Sequence, residues 1–326
     1  MYQKIQKYSP TAGDVHVNTP LTNISIAFLQ NAENFIATRV FPNIPVTYQS
    51  DRYYTYDRGE FNRDEMRKRA PGTESAGGSY TVDNTPSYYC EPYGFHKDIP
   101  DQVRRNSDSV LAPDREATEY VSHKAAIKRE KLWATKYFTT DIWTTDTTPD
   151  WGPGGDDDPI VNIRTGSTAI LESTGFEPNT LVLGKKVYDA LADNADIIDR
   201  VKYGQTPVGP ALGTINAMRE LFEVDRIFVM KAIENTAVEG QAPVHAFIGG
   251  DNALLCYSAP SPGIMTPSAG YTFSWNGYLG AGAEGNRISQ FRIGRLKSDR
   301  VEIEIAFDQK LIAADLGYFF DVTLTP

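Results

Sequence analysis

Strict apolar–polar alternation runs through Val301-Glu302-Ile303-Glu304-Ile305-Ala306-Phe307, the period of a strand with one buried and one solvated face. Residues 317–322 predict a last strand. Leu181-Val182-Leu183, residues 226–230 and Ala246-Phe247-Ile248 are short apolar runs of strand character, and residues 88–100 are aromatic and strand-like. Helical spacing dominates residues 114–138, with Pro113 and Asp114 suited to a helix start and no Gly or Pro inside the run. Its apolar positions form several narrow faces: Tyr120, Ile127, Ala134 and Phe138; then Val121, Ala125 and Leu132; then Trp133 and Tyr137, with Lys124, Lys128, Arg129, Lys131 and Lys136 between them. That pattern suits a rod touching several partners, and equally a surface helix packed on one sheet. Residues 185–201 predict one amphipathic helix with Val187, Leu191, Ile197 and Ile198 inward, and residues 217–222 a short helix or strand.

Other segments lack a core-forming period. Residues 1–20 are polar, carry Pro10, Gly13 and Pro20, and predict an extended arm. Ile24, Ile26, Phe28 and Leu29 then lead into a stretch whose Pro42 and Pro45 forbid a continuous helix, which predicts an extended strap with apolar anchors. Residues 51–82 form the most charged segment. Tyr53, Thr55 and Phe61 have β character, while Arg52, Arg58, Arg63, Arg67, Lys68 and Arg69 stand against Asp51, Asp57, Glu60, Asp64 and Glu65. Unpaired charges are costly to bury, so this segment predicts a projecting hairpin or loop that lies in water or on another molecule, and its mixed signs suit an equally charged neighbour. Residues 144–160 read as a loop, and residues 258–286 as a Gly/Pro/Ser-rich stretch exposing Tyr271, Phe273, Trp275 and Tyr278.

The 326 residues suffice for a substantial core and two subdomains. A net charge of −10 argues against tight, broad binding to duplex nucleic acid or to anionic membranes. Two cysteines, Cys90 and Cys256, are too few for a disulfide scaffold and suit a reducing cytoplasm. The start shows no apolar signal segment, and no run approaches the ~18 apolar residues of a membrane span. Candidate chemistry is thin. Gly280-Ala281-Gly282-Ala283-Glu284-Gly285 has dinucleotide-loop glycines, but a strand-like stretch follows where a helix is needed. Asp156-Asp157-Asp158 lacks the spaced ligands of a calcium loop and reads as a solvated acidic turn. Asp193, Asp196 and Asp199 are spaced to line one face of the expected helix and read as an exposed acidic face. His16, His96, His123 and His245 have no metal-ligand spacing, and neither cysteine has local support as a nucleophile. The chain is expected to be no enzyme and to hold no cofactor or metal.

Phe35-Ile36-Ala37-Thr38-Arg39-Val40-Phe41-Pro42-Asn43-Ile44-Pro45-Val46, followed by Asp51-Arg52-Tyr53-Tyr54-Thr55-Tyr56-Asp57 and Arg69-Ala70-Pro71-Gly72-Thr73, resembles the major capsid proteins of tailed double-stranded-DNA phages. His96-Lys97-Asp98-Ile99-Pro100, Lys131-Leu132-Trp133-Ala134, and Phe247-Ile248-Gly249-Gly250 with Ala253-Leu254-Leu255 follow in the same order. The resemblance implies an α+β phage major capsid fold: an N-terminal arm at 1–50, an extended β-loop at 51–90, a peripheral domain at 91–180 and 293–326 with a spine helix at 114–138, and an axial domain at 181–292. It implies a virion protein, assembled in the host cytoplasm, whose hexamers and pentamers close an icosahedral head shell around packaged DNA. Its implied partners are other copies of itself, a portal, a decoration protein and, since no long helical extension precedes residue 20, a separate scaffolding protein. DNA would be met only by weak, non-specific proximity, and no membrane is involved. Arg58, Arg63, Arg67, Lys68 and Arg69, with Asp57, Glu60, Asp64 and Glu65, are then expected at the subunit interface. The alternatives are an encapsulin-like nanocompartment shell, a metal-dependent hydrolase using Asp156–Asp158 or the Asp193 helix, and a binding module displaying the four aromatics.

Overall fold

The computed structural model describes residues 30–107, 112–204, 214–263, 265–279 and 285–325; the polar arm, the apolar positions at 24–29 and residues 280–284 of the glycine-rich run lie outside them. The strap turns once through α1 (Ala37–Val40) and then extends as β1 (Asn43–Val46), as its prolines require. The projecting segment follows as β2 (Ser50–Arg52), β3 (Thr55–Tyr56) and one helical turn, α2 (Arg58–Phe61), returning through β4 (Val82–Asp83) and β5 (Ser87–Tyr89). Phe61, expected as a β position, lies in that turn, because the Asp57 side chain accepts the Gly59 N–H at 2.8 Å and so starts a helix. Next come β6 (Glu91–Pro100), α3 (Asp101–Asn106) and the spine helix α4 (Pro113–Tyr137), which begins on a proline at its first position.

The stretch expected as a loop holds a short strand, β7 (Thr145–Thr147), and leads directly into a helix absent from the sequence reading, α5 (Pro159–Thr174). Its signals are local: Asp158 accepts the Ile160 N–H at 2.8 Å, Pro159 occupies the first turn, and Gly175 ends the helix at φ +77°. β8 (Thr180–Gly184) follows, then α6 (Lys185–Ala192) and α7 (Ala195–Gly204). These are two helices where one was expected. The Asn194 side chain accepts the Asp196 and Ile197 N–H groups at 3.0 and 3.3 Å, which restarts the helix. Asp193 therefore sits beyond the end of α6 and does not share a helix face with Asp196 and Asp199. The chain continues with α8 (Ile215–Phe222), β9 (Arg226–Met230), β10 (Ile233–Asn235), β11 (His245–Phe247), β12 (Asn252–Cys256), β13 (Gly270–Trp275), α9 (Asn276–Leu279), β14 (Asn286–Ile293), β15 (Ser298–Leu311) and β16 (Gly317–Asp321).

Two five-stranded sheets organise these elements. In the first, β15 pairs antiparallel with β6 (Ser298↔Pro100 through Phe307↔Glu91), with β14, and at its far end with β13, on which β1 lies parallel. The alternation of Val301, Ile303, Ile305 and Phe307 points these side chains at Ala117 and Val121 of α4. In the second sheet the order is β7-β16-β12-β8-β9. Its β8, β12 and β16 are almost wholly buried because both faces are covered: Phe320 meets Trp151 on the α5 side, while Phe319 meets Phe138 at the end of α4. The spine helix thus lies on the first sheet along its early turns and reaches the second at its end.

β13 and β14 share a sheet with β6 and β15, whereas β7 and β16 share one with β8, β9 and β12. One expectation is corrected here: the four aromatics of residues 271–278 are not a displayed set. Tyr271 and Phe273 are buried on β13 with Tyr88 and Cys90, and Phe273 stacks on Tyr88 at 4.5 Å. Trp275 donates its indole N–H to the Thr47 carbonyl at 2.9 Å, and among the four only Tyr278 is exposed.

Candidate functional site

The projecting segment is rigid at its root and bare at its end. At the root, β2 pairs with β5 and the Cys90 N–H donates to the Gln49 carbonyl at 2.8 Å; Tyr88, Cys90, Ala259, Tyr271 and Phe273 form a small core under it. Further out, β3 pairs with β4, and the rings of Tyr56, Phe61 and Tyr80 cluster at 5.5–6.1 Å. Glu60 fixes the opposite strand there, accepting from the Thr81 N–H and hydroxyl. Beyond this knuckle, residues 62–81 hold no helix or strand, and every residue from 61 to 80 is exposed. Met66 is 92 % exposed.

The nine charged residues expected at an interface divide by this geometry. Five have partners within the chain: Asp57 caps α2, Glu60 clamps Thr81, Arg58 forms an ion pair with Asp315, and Arg63 and Glu65 lie 3.7 Å apart. The Arg58 pair ties α2 to the turn before β16. Arg69 donates to the Thr73 carbonyl across the Pro71-Gly72 turn and is exposed. Asp64, Arg67 and Lys68 make no ion pair among the described residues and are exposed.

Two side chains that the sequence reading passed over hold the strap. The Gln30 side chain makes a reciprocal pair with the Ile233 backbone, Nε2 donating to its carbonyl at 2.6 Å and Oε1 accepting its N–H at 2.8 Å. Glu130, buried in α4, accepts the N–H groups of Ile36 and Ala37 at 2.9 Å each. Its signal was spacing: Glu130 shares the helix face of Trp133, Ala134 and Tyr137 at i, i+3, i+4 and i+7. A charge network, Arg104 to Asp114 and Asp299 and Arg292 to Asp101 and Asp299, then ties α3, the start of α4 and the β14–β15 turn together.

The candidate chemical groups are occupied with structure. Burial pushes the Cys90 and Cys256 thiols up to about 12, so both are protonated and unreactive at neutral pH. Asp158 caps α5 and pairs with Arg200, and Asp157 accepts the Asp150 N–H at 2.8 Å. A cleft of about 450 Å³ lies between this turn and the α6–α7 junction, but among the described residues no three His, Cys, Asp or Glu side chains converge to hold a metal ion. Among the described residues, no helix is long and apolar enough to cross a membrane.

No family model matches the chain. It is 26 % identical over 315 residues to the major capsid protein of Pseudomonas phage JBD67, covering 94 % of this chain and 96 % of that protein. It is 24 % identical over 313 residues to the major capsid protein of Burkholderia phage BcepMu, covering 93 % and 95 %. Among solved structures, a phage-related protein from Bordetella bronchiseptica RB50 matches with TM-score 0.67 and 22 % identity over 90 % of this chain and 93 % of that one. The mature capsid of bacteriophage PhiM1 matches with TM-score 0.62 and 13 % identity over 96 % and 94 %. The same fold extends to the holo-SrpI encapsulin complex from Synechococcus elongatus PCC 7942, at TM-score 0.53 and 12 % identity over 95 % and 94 %. With two phage coat proteins aligned along nearly its whole length and the fold of assembled phage shells in its two sheets, spine helix and projecting loop, this chain is a homologue of the phage major capsid proteins.

Proposed function

We propose that the chain is the building block of a phage head, self-associating into hexamers and pentamers that close an icosahedral shell around packaged double-stranded DNA. Its work is assembly without a catalytic step. The observation that carries this reading is the loop: residues 61–80 are exposed along their whole length yet held out from the body by a paired, ring-packed root. Such a segment gains its buried surface only on another molecule, and a second copy supplies both signs of charge to meet it. Many weak, reciprocal contacts of this kind make shell stability a mass-action property.

In this reading the subunit-facing charges are Asp64, Arg67, Lys68 and Arg69. The sheet of β15 with α4 forms the peripheral body, and the sheet of β16 with α5–α8 the axial one. A scaffolding protein, a portal and a decoration protein are further partners, and assembly takes place in the host cytoplasm. The chain's net charge of −10 suits a wall that does not grip its DNA. Reversing Arg67, Lys68 and Arg69 to Glu together tests the reading: circular dichroism and melting should match wild type, while negative-stain electron microscopy should show no closed particles. Normal shells from this variant would overturn the assignment of the loop. The likeness to an encapsulin keeps a protein-filled compartment as the second reading; nuclease-protected DNA in particles from infected cells supports the first, and a protein cargo without DNA supports the second.

A further inference from the structure

The strap is fastened at its centre by one buried acid. Ile36, Ala37, Val40 and Phe41 are buried, and the Phe41 ring packs on Trp133 and Tyr137 of the spine helix. The turn that carries them opens with N–H groups that have no acceptor inside the turn. Glu130 supplies one, its Oε2 accepting from both Ile36 and Ala37 at 2.9 Å. Its other oxygen, Oε1, is buried with no hydrogen-bond partner among the described residues, and Glu130 as a whole is 1 % exposed. Beside it, a cleft of about 520 Å³ runs between strap and spine helix, bordered by Phe35, Arg39, Glu119, His123 and Arg129.

An ionised carboxylate at this place holds part of its charge on a buried oxygen that no donor among the described residues reaches, which is unfavourable. A proton on Oε1 removes that charge while Oε2 still accepts both N–H groups. With the strap lifted, Glu130 stands on a helix face in water and ionises as an ordinary glutamate. We propose that Glu130 is a proton-coupled latch: it takes up a proton as residues 36–41 dock on the spine helix and gives it up when they lift, so that docking is tighter in mild acid than above neutrality.

The surrounding charges leave this direction intact. On α1, Arg39 favours the carboxylate and opposes the effect; on α4, Glu119, His123 and Arg129 border the cleft. Burial outweighs the two N–H bonds and Arg39, and pushes the Glu130 carboxyl up to about 7. His123 is itself pushed down by burial and by Lys124, which favours its neutral form. A raised carboxyl stabilises the docked strap fully below the ordinary glutamate range, and the contribution is lost as pH rises through about 7.

Hydrogen exchange of the 36–41 segment in the full chain, corrected for intrinsic rates, tests the latch. Opening of the segment should rise on the order of fifty-fold from pH 5 to pH 8, with no more than about tenfold per pH unit, the limit for one proton, while β15 shows no such rise. Glu130→Gln keeps a carbonyl acceptor but cannot ionise, and should flatten the profile. Should that variant not fold, Arg39→Gln serves instead: removing this exposed cation should move the midpoint to higher pH. A flat wild-type profile, a Glu130→Gln profile with the wild-type slope, or an unmoved midpoint in Arg39→Gln would each overturn the latch.

Discussion

Phe41 lies edge-on to Trp133 at 5.8 Å and tilted on Tyr137 at 5.0 Å, so one ring of the strap closes the gap between the spine helix and the body. It is wholly buried, and Gly270 passes so close that a side chain there would strike the ring. Phe41→Ala leaves a cavity lined by groups fixed in α4 and β13, and should cost about 3–5 kcal/mol, read as a loss of denaturant stability. Arg58 offers the opposite case. Its ion pair with Asp315 is only partly buried, and pairs this exposed contribute at most about 1 kcal/mol; its value is geometric, holding α2 against the body. The charge pattern of residues 51–69 marks a segment that cannot bury itself, but pattern alone does not separate charges that serve the chain from charges that face outward. Asp57, Arg58 and Glu60 have partners within the chain, Gly59, Asp315 and Thr81, which lie next along the chain or far along the sequence. Only the folded path brings the distant ones together.

Elements with a strong period were legible. The alternation of residues 301–307 became the middle of β15, and the proline-started run of residues 114–138 became α4. Three failures have physical causes. α5 has an apolar period weakened by Thr and Ser, and its start and end are written in Asp158, Pro159 and Gly175 instead. Asp158→Ala removes two N–H contacts and a pairing with Arg200, and should lower stability by about 0.5–2 kcal/mol with helix loss confined to the first turns of α5, measurable as faster exchange of Ile160 and Val161 amides. The break between α6 and α7 depends on one side chain, Asn194, competing for backbone donors. The aromatics of residues 271–278 read as exposed because Gly, Pro and Ser surround them, yet β13 buries two of them between β1 and β15.

At the scale of the molecule, two sheets joined by the spine helix make a body with its own core, while the loop leaves that body from a rigid root. The strap belongs to the body, since Ile36, Ala37, Val40 and Phe41 enter the largest hydrophobic cluster. The loop beyond its ring knuckle belongs to no core of its own chain, and it is the part whose partner the sequence could name only through resemblance. A density map of particles assembled from the full chain, by electron cryomicroscopy, tests this arrangement most directly. The expected map shows closed shells in which residues 61–80 lie against an adjacent copy, with Arg67, Lys68 and Arg69 facing its carboxylates and Met66 covered. Shells whose loops stand clear of every neighbouring copy, or a chain that stays monomeric at high concentration with its natural neighbours present, would contradict it.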